Sequence, residues 1–184
     1  MRMNQEAEIT AEYIVNNYSL DDLSNIFYRY GEDNNSRMIA KGIVEARKKK
    51  HIETTFELVD IIKKSLPQKV LNAKGHPAKK IFQALRIAVN DELRVFEVSI
   101  NDALDMLNKD GRAVVITFHS LEDRICKTIF KEKTTQENIP GLPVMLDDKL
   151  EFELVTKHPI IPTDAELEYN NRAHSAKMRV IKKR

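Results

Sequence analysis

Apolar residues between positions 7 and 72 recur at three- and four-residue steps, the spacing of one buried helix face, and this pattern predicts a bundle of four helices. Connections of a few residues at 31–35 and 51–53 favour antiparallel neighbours. The predicted helices run through Ile9, Tyr13 and Ile14; from a Ser19 cap through Leu23 and Phe27; from Ser36 through Ile39 and Ile43; and from a Thr54–Glu57 capping box through Leu58 and Ile61. Pro67 ends the fourth helix, since proline lacks the N–H that a helix interior uses.

The pattern changes after Gly75. One long helix is predicted from there to Leu107, and the apolar run at 113–118 then indicates a parallel strand covered on both faces. Further along, the sequence predicts a helix at 121–131, a surface loop at 134–149, a strand at 152–155, a long crossing segment at 159–171 and a half-exposed final strand at 176–180. We therefore predict an α/β chain in two parts, a helical domain at 1–74 and a sheet-containing domain at 75–184.

A polar cluster joins the strand at 113–118 to the next helix, within the segment GRAVVITFHSLEDRICK at 111–127. Ligands of open α/β sheets bind at the carboxyl ends of strands, so four residues at this end are candidates for a substrate pocket: His119, Ser120, Asp123 and Arg124. Ser120 has a second interpretation as a helix cap paired with Asp123. His119 is equally suited to shuttle a proton, to contact a base, or to orient its neighbours through a hydrogen bond.

The net charge of the chain is only +2, but its basic residues are clustered. Positions 61–90 and 172–184 contain lysines and arginines without an acidic residue, and another basic run lies at 47–51. Such clusters favour a polyanionic partner, although charge runs are more often solvated helix faces. The aromatic residues that fall at helical spacing are predicted to be core rather than base-stacking platforms: Tyr13, Tyr18, Phe27, Tyr28 and Tyr30.

Several classes of protein are excluded. No apolar run approaches the ~18 residues that span a bilayer, and the first residues lack the apolar block of a secretory signal, so we predict a cytoplasmic protein without a membrane partner. Cys126 is the sole cysteine and lies on an apolar helix face, which predicts a packing residue rather than a nucleophile. No set of potential ligands has metal-site spacing, and we expect no metal.

Five segments in the same order resemble the RsmH or MraW family of ribosomal RNA methyltransferases. They cover most of the chain: AEYIVNNYSLDDLSNIFYRYGE at 11–32, IVEARKKKHIETTFELVDII at 43–62, GHPAKKIFQALRIAVNDEL at 75–93, VVITFHSLEDRICK at 114–127, and KHPIIPTDAELEYNNRAHSAKMR at 157–179. The resemblance implies transfer of a methyl group from S-adenosyl-L-methionine to the exocyclic N4 of a cytosine in the decoding region of small-subunit ribosomal RNA.

The resemblance also implies a fold and a set of contacts. The helical domain resembles the bundle inserted into a Rossmann-like methyltransferase fold, and the rest resembles the last strands and helices of that fold, so the sheet would be incomplete. The implied partner is small-subunit ribosomal RNA or the 30S subunit. The residues predicted to bind RNA are Lys79, Lys80, Arg86, Asn90, Arg172, Ser175, Lys177 and Arg179. The catalytic residues stay unassigned.

A feature of that family is absent from the sequence. Its members hold the cofactor in a glycine-rich turn after a first strand, because the backbone must approach the cofactor closely. This chain has five glycines, and no two are adjacent or one residue apart. We therefore expect the carboxyl-terminal part of the enzyme, without cofactor-binding residues and inactive alone.

Two other functions compete with an enzyme fragment. A non-catalytic RNA- or protein-binding module would explain the basic clusters. An oligomerisation module would explain an apolar strand that lacks a neighbour, because an open apolar edge is a template for pairing with another chain. On that ground we also predict a homodimer formed around the strand at 113–118.

Overall fold

The computed structural model describes residues 1–6, 8–73, 75–135 and 150–184. The chain divides into two compact units, Met1–Glu92 and Leu93–Arg184. The division lies later than the boundary between 74 and 75 expected from sequence, and the helix that follows Gly75 contributes to the core of the first unit. Nearly all of the surface loop predicted at 134–149 lies outside the described residues.

The first unit is helical, as the apolar spacing predicted. Its helices are α1 Ala11–Asn17, α2 Leu20–Gly31, α3 Ser36–Arg47, α4 Thr55–Ser65, the single turn α5 Gln68–Leu71, and α6 Lys79–Asn90. Two predicted helix starts are confirmed in detail: the Ser19 hydroxyl accepts the N–H of Asp22, and Thr54 and Glu57 form a reciprocal capping box. These bonds satisfy backbone N–H groups that a helix start leaves unpaired, and so fix where α2 and α4 begin.

The core of this unit joins α2, α3, α4 and α6 through side chains with no more than 1% exposure: Leu23, Phe27, Ile39, Ile43, Ile62, Ile81 and Leu85. The close approach of α2 to α6 requires Gly31, since a Cβ there would lie 2.9 Å from the carbonyl oxygen of Lys80. The prediction for the aromatic residues is confirmed at Phe27 but wrong at Tyr13 and Tyr28, which are 49% and 63% exposed. Helical spacing alone does not identify the buried face when aromatic residues lie on two faces.

The single long helix predicted after Gly75 is two helices. Asp91 adopts a left-handed conformation, with φ at 49°, and separates α6 from α7, Glu92–Asp105. The apolar periodicity continues across the break, so the sequence pattern did not show the single left-handed residue. Aspartate tolerates this backbone conformation better than most residues.

The second unit contains a three-stranded sheet in the order β1-β3-β2, where β1 is Arg112–Thr117, β2 is Phe152–Leu154 and β3 is Lys177–Lys183. Both outer strands pair antiparallel with β3, so β1 and β2 are parallel to each other. Helix α8, Ser120–Thr134, follows β1, and α9, Asp164–Tyr169, and a 3-10 helix, Asn171–Ser175, precede β3. The α/β class is confirmed, and the small open sheet is consistent with part of a Rossmann-like fold.

The prediction that β1 is covered on both faces is wrong for the described residues. The strand lies at an edge of the described sheet, and Val114 and Ile116 on one face are 57% and 52% exposed. The opposite face packs with α7 and α8 around a core made by Ile100, Leu104, Cys126, Ile129, Phe130, Phe152 and Ile181. The half-exposed final strand predicted at 176–180 is confirmed at 176–179, which are partly buried, whereas Val180 and the following Ile181 are buried because β3 is the central strand.

Candidate functional site

The junction between β1 and α8 brings the predicted pocket residues to one end of the sheet. His119, not Ser120, is the N-cap of α8: its Nδ1 accepts the N–H of Glu122 at 3.4 Å. The Glu122 side chain completes a reciprocal cap, because its Oε2 accepts the N–H of Phe118 at 2.9 Å. The capping role predicted for Ser120 with Asp123 is therefore wrong, because the reciprocal pair lies one residue earlier.

His119 and Glu122 also approach through their other polar atoms. The side chain of His119 is only 10% exposed, and its Nε2 lies 3.3 Å from Oε1 of Glu122 without a well-aligned hydrogen bond. Burial raises the pKa of the Glu122 carboxyl, but the adjacent His119 ring and the hydrogen bond from the Phe118 N–H outweigh it, so that the pKa lies below its usual value. This geometry favours the orienting role for His119, and its roles as a proton shuttle or a base contact remain predictions.

Asp123 connects the junction to the central strand. Its carboxylate accepts bonds from Arg179 at 2.8 and 3.3 Å and lies 3.2 Å from Nζ of Lys177. The hydrogen bonds from Arg179, and then those from Lys177, hold the pKa of Asp123 below its usual value against the opposing effect of burial. A bidentate arginine–carboxylate pair fixes geometry as well as charge, so this ion pair positions α8 against β3.

The structure thus joins two groups that the sequence had assigned to different roles. Asp123 was a pocket candidate, whereas Lys177 and Arg179 were predicted RNA contacts. Ser120 and Arg124 are exposed on the first turns of α8, and Arg172 and Ser175 are exposed on the 3-10 helix. Their assignments to substrate or RNA remain predictions.

The predicted RNA contacts at the start of α6 lie in the first unit. Lys79 and Lys80 are both exposed there, and Nζ of Lys80 donates to the carbonyl oxygen of Glu32 at 2.9 Å. That carbonyl oxygen lies at the end of α2, where a cation is favourable.

The other two predicted contacts on α6 have protein partners. Arg86 forms a forked pair with the carboxylate of Glu92 through Nε at 2.9 and 3.2 Å and Nη2 at 3.1 Å. The Asn90 amide donates to the carbonyl oxygens of Met1 and Arg86, and its Oδ1 accepts the N–H of Met3. Asn90 therefore organises the amino-terminal backbone within the first unit.

The basic run at 47–51 is largely neutralised by its own fold. Arg47 donates to the carbonyl oxygens of Val15 and Tyr18 at 2.8 and 2.6 Å, at the end of α1. The other pairs in this run are Lys48 with Glu45, Lys50 with Glu57, and His51 with Glu12. These acids lie outside the run, and the sequence therefore did not show the neutralisation.

The carboxyl-terminal run is neutralised in the same way. Besides the Asp123 pairs, the N-to-O distances are 2.6 Å from Lys182 to Asp110, 3.0 Å from Lys183 to Glu151, and 3.1 Å from Arg184 to Glu153. The acid-free stretch of sequence therefore forms β3, the central strand of the sheet. Acidic residues on or beside the two neighbouring strands pair with its cations.

Sequence reasoning missed a cluster of cations in the second unit. A cavity of about 140 Å³ is lined by Lys127, Phe130, Lys131, Leu154, Thr156, Lys157 and Arg179, which we call the basic cavity. Among the described residues, its lining holds four cationic side chains and no acidic one. The four-residue spacing of Lys127 and Lys131 on a predicted helix was a signal for a shared face, but nothing in the sequence placed Lys157 opposite them.

No glycine-rich turn joins a strand to a helix among the described residues, and such a turn is the feature by which the family is expected to hold S-adenosyl-L-methionine. Gly31 and Gly42 lie inside helices against neighbouring side chains or backbone, Gly75 lies before α6, and Gly111 precedes a strand. The β1–α8 connection contains no glycine and is filled by the His119–Glu122 cap. Within the described ranges, no group of three potential ligands is placed to hold a metal ion.

Cys126 is buried in the second core, and burial raises the pKa of its thiol to about 11, which confirms the packing role over a nucleophilic one. Among the described residues, no helix is long and apolar enough to cross a membrane.

The comparison with known families bears on all of these observations together. A family model described as the MraW methylase family matches residues 1–184, which include the helical unit, the β1–α8 junction and the carboxyl-terminal strand. The resemblance carried by the five sequence segments is confirmed. The chain belongs to the MraW methylase family.

Proposed function

We propose that this chain is the RNA-holding part of an enzyme that transfers a methyl group from S-adenosyl-L-methionine to N4 of a cytosine in the decoding region of small-subunit ribosomal RNA. The family match over the whole chain carries the proposal, because it supports methyl transfer as the chemistry. The enzyme would act in the cytoplasm on small-subunit RNA or the 30S subunit.

The described geometry supports a division of labour. Methylation of an aromatic amine needs the nitrogen lone pair held in line with the methyl donor, and this requires a fixed substrate. The Asp123–Arg179 pair and the His119–Glu122 cap make the β1–α8 junction rigid, and Ser120 and Arg124 lie exposed beside it. These two residues would contact the substrate, while Asp123 and His119 would position them.

We further propose that the chain by itself neither binds the cofactor appreciably nor methylates RNA. The support is the absence, among the described residues, of a glycine turn between a strand and a helix. Isothermal titration of the 184-residue chain with S-adenosyl-L-methionine tests this directly. We expect no micromolar binding, and micromolar affinity would contradict the proposal.

Methyl transfer is tested with the chain produced together with the cofactor-binding half of a methylase of this family. Radiolabelled methyl transfer to small-subunit RNA should appear with both halves present and with neither half alone. Product digestion should then give N4-methylated cytosine. Label on another base would leave the chain a methylase part but refute the cytosine assignment.

A non-catalytic RNA-binding role is the second candidate, and the missing cofactor cradle among the described residues favours it. The two functions differ in the paired experiment. If the combined halves bind small-subunit RNA but transfer no methyl group, the binding role stands.

We also propose that the chain forms a homodimer through β1. The edge strand exposes Val114 and Ile116, and Phe118 just beyond it is 56% exposed. An open strand edge with apolar side chains favours pairing with a second copy.

A further inference from the structure

We propose that the basic cavity binds one phosphate group of the RNA backbone. The cavity lies in the second unit, where α8 contributes Lys127 and Lys131, the residues after β2 contribute Thr156 and Lys157, and β3 contributes Arg179. This inference rests on the proposed RNA substrate for its choice of phosphate source, but the cavity itself is defined by its own geometry.

Charge is the first argument. In the part of the chain that the structure describes, no hydrogen bond or ion pair joins the side-chain ammonium group of Lys127, Lys131 or Lys157 to another residue. Lys127 and Lys131 lie four residues apart on one helix, where like charges destabilise the helix. A bound phosphate would convert this repulsion into attraction.

The contrast with the rest of the surface strengthens that argument. Four of the five basic residues at 47–51, all except Lys49, and the three at 182–184 have carboxylate or carbonyl partners, whereas the lining of the basic cavity contains no carboxylate among the described residues. Arg179 is held in place by Asp123 and still lines the cavity. Its guanidinium is therefore fixed before any ligand arrives, which lowers the entropic cost of binding.

Size and hydrogen bonding point to a small oxyanion. The volume of about 140 Å³ is well below the ~300–1,000 Å³ of pockets that enclose a drug-sized ligand, so the cavity suits one group of a larger molecule. Thr156 lines it, and the Thr156 hydroxyl oxygen is buried without a hydrogen-bond partner. A phosphate oxygen in the cavity would supply the partner that this hydroxyl lacks among the described residues, and burial without a partner is costly.

A backbone phosphate also explains why the three lysines are exposed around a small cavity. A phosphodiester enters with one phosphate while its sugars and bases stay outside. Contacts of this kind position an RNA without reading its sequence.

The cavity is tested first with inorganic phosphate. Amide chemical shifts of the full 184-residue chain are followed during phosphate titration, with sodium chloride at matched ionic strength as the reference. We expect saturable shifts around Thr156 and Lys157 that chloride does not produce. Thr156→Val should weaken phosphate binding about fivefold, the loss expected for one neutral hydrogen bond.

RNA is the second arm. Fluorescence anisotropy measures binding of a single-stranded oligonucleotide copied from the decoding region, for the wild type and for the double variant Lys131→Gln/Lys157→Gln. We expect affinity to fall about tenfold and the slope of log K against log salt to shrink by about 0.7, the value for one phosphate on a single strand. Lys109→Gln, exposed in the same unit but outside the cavity, is the single-charge control and should change neither quantity.

The outcomes separate the cavity from the proposed function. Absence of phosphate-specific shifts at the cavity would overturn the inference while leaving the RNA methylase proposal standing. Phosphate shifts with unchanged RNA affinity in the double variant would show a site for free anions and overturn the backbone assignment. If phosphate binds but the chain binds no RNA, the RNA-holding role fails and the oxyanion site remains. Thermal melts of every variant check that folding is intact.

Discussion

The carboxyl-terminal strand and the basic cavity lie in the same unit and contain the same types of cation, yet their electrostatic surroundings are opposite. Along β3 and just after it, Lys177, Lys182, Lys183 and Arg184 each have a carboxylate within 3.2 Å. Around the cavity, Lys127, Lys131 and Lys157 belong to a lining that contains no acidic residue in the part of the chain that the structure describes. A stretch of sequence that lacks acids can fold into a neutral surface, and cations far apart in sequence can form the basic one.

The difference follows from sheet geometry. A central strand has a neighbour on each side, so the basic residues of β3 meet acids contributed by both flanks of the sheet, including Asp110 before β1 and Glu153 within β2. Helix α8 packs on one face of the sheet instead, so its exposed lysines have no neighbouring strand beside them. Each exposed ion pair of this kind contributes little to the stability of the fold. A cation that is already paired with a carboxylate is nevertheless less available to bind an RNA phosphate.

The largest expected effect comes from breaking the ion pair between Asp123 on α8 and Arg179 on β3. Asp123→Asn removes the carboxylate that binds Arg179 and Lys177, and both ends of the Asp123–Arg179 pair are less than 15% exposed. We expect the free energy of unfolding at pH 7 to fall by about 2 kcal/mol, because a mostly buried charged group loses its hydrogen-bond partner. Urea denaturation followed by circular dichroism measures this. Asp102→Asn, an exposed residue on α7, is the matched control, and an equal loss in both variants would contradict the assignment.

The same pair should respond to acid. The folded-state pKa of Asp123 lies below its usual value, so its contribution is present above the unfolded-state pKa of about 3.9 and is lost as pH falls through the folded value. The stability gap between wild type and Asp123→Asn should therefore be constant from pH 7 to pH 5, begin to narrow below about pH 5, and continue to narrow as the pH falls through the folded-state pKa. Urea titrations at several pH values between 7 and about 2 test this. A gap that does not narrow between pH 5 and pH 2 would mean that packing, not charge, explains the loss.

RNA affinity sharpens the comparison between strand and cavity. The double variant Lys182→Gln/Lys183→Gln removes the same formal charge as the cavity variant, from cations that already have acidic partners. We expect it to change the dissociation constant by less than about twofold, against about tenfold for the cavity pair. Anisotropy at two salt concentrations distinguishes them. Equal losses would show that total charge, rather than its placement, governs binding.

The smallest expected effect on RNA affinity comes from a variant that should abolish self-association. β1 and β2 lie at opposite edges of the described sheet, and the cavity borders the β2 side. Ile116→Lys should abolish concentration-dependent self-association in sedimentation velocity, because a lysine on an exposed edge strand opposes pairing, while leaving RNA affinity unchanged. A monomeric wild type at micromolar concentration would refute the homodimer.

Local signals in the sequence predicted local structure well. The caps at Ser19 and Thr54 and the helix periodicity through Phe27, Ile43 and Ile62 depend on residues within one or two turns, and the structure confirms them. The break at Asp91 was missed because one left-handed residue does not interrupt an apolar stripe.

The site was less predictable because its defining contacts join distant segments. Asp123 meets Arg179 through strand pairing, and Lys157 reaches the cavity across from α8 only once β2 and β3 have paired. His119 was identified from sequence, but its partner depended on whether the helix begins at residue 120 or 121, and helix ends are poorly fixed by sequence alone.

Cys126 supplies a built-in reporter of motion. It is the sole thiol in the chain and is fully buried within the second unit, so a thiol-modifying reagent can reach it only when that unit opens. The first unit has no thiol and stays silent in such an assay. The labelling rate in native buffer, compared with that of the unfolded chain, therefore yields an opening free energy for the sheet unit alone, and its change with added phosphate or RNA would show whether ligand binding closes that unit.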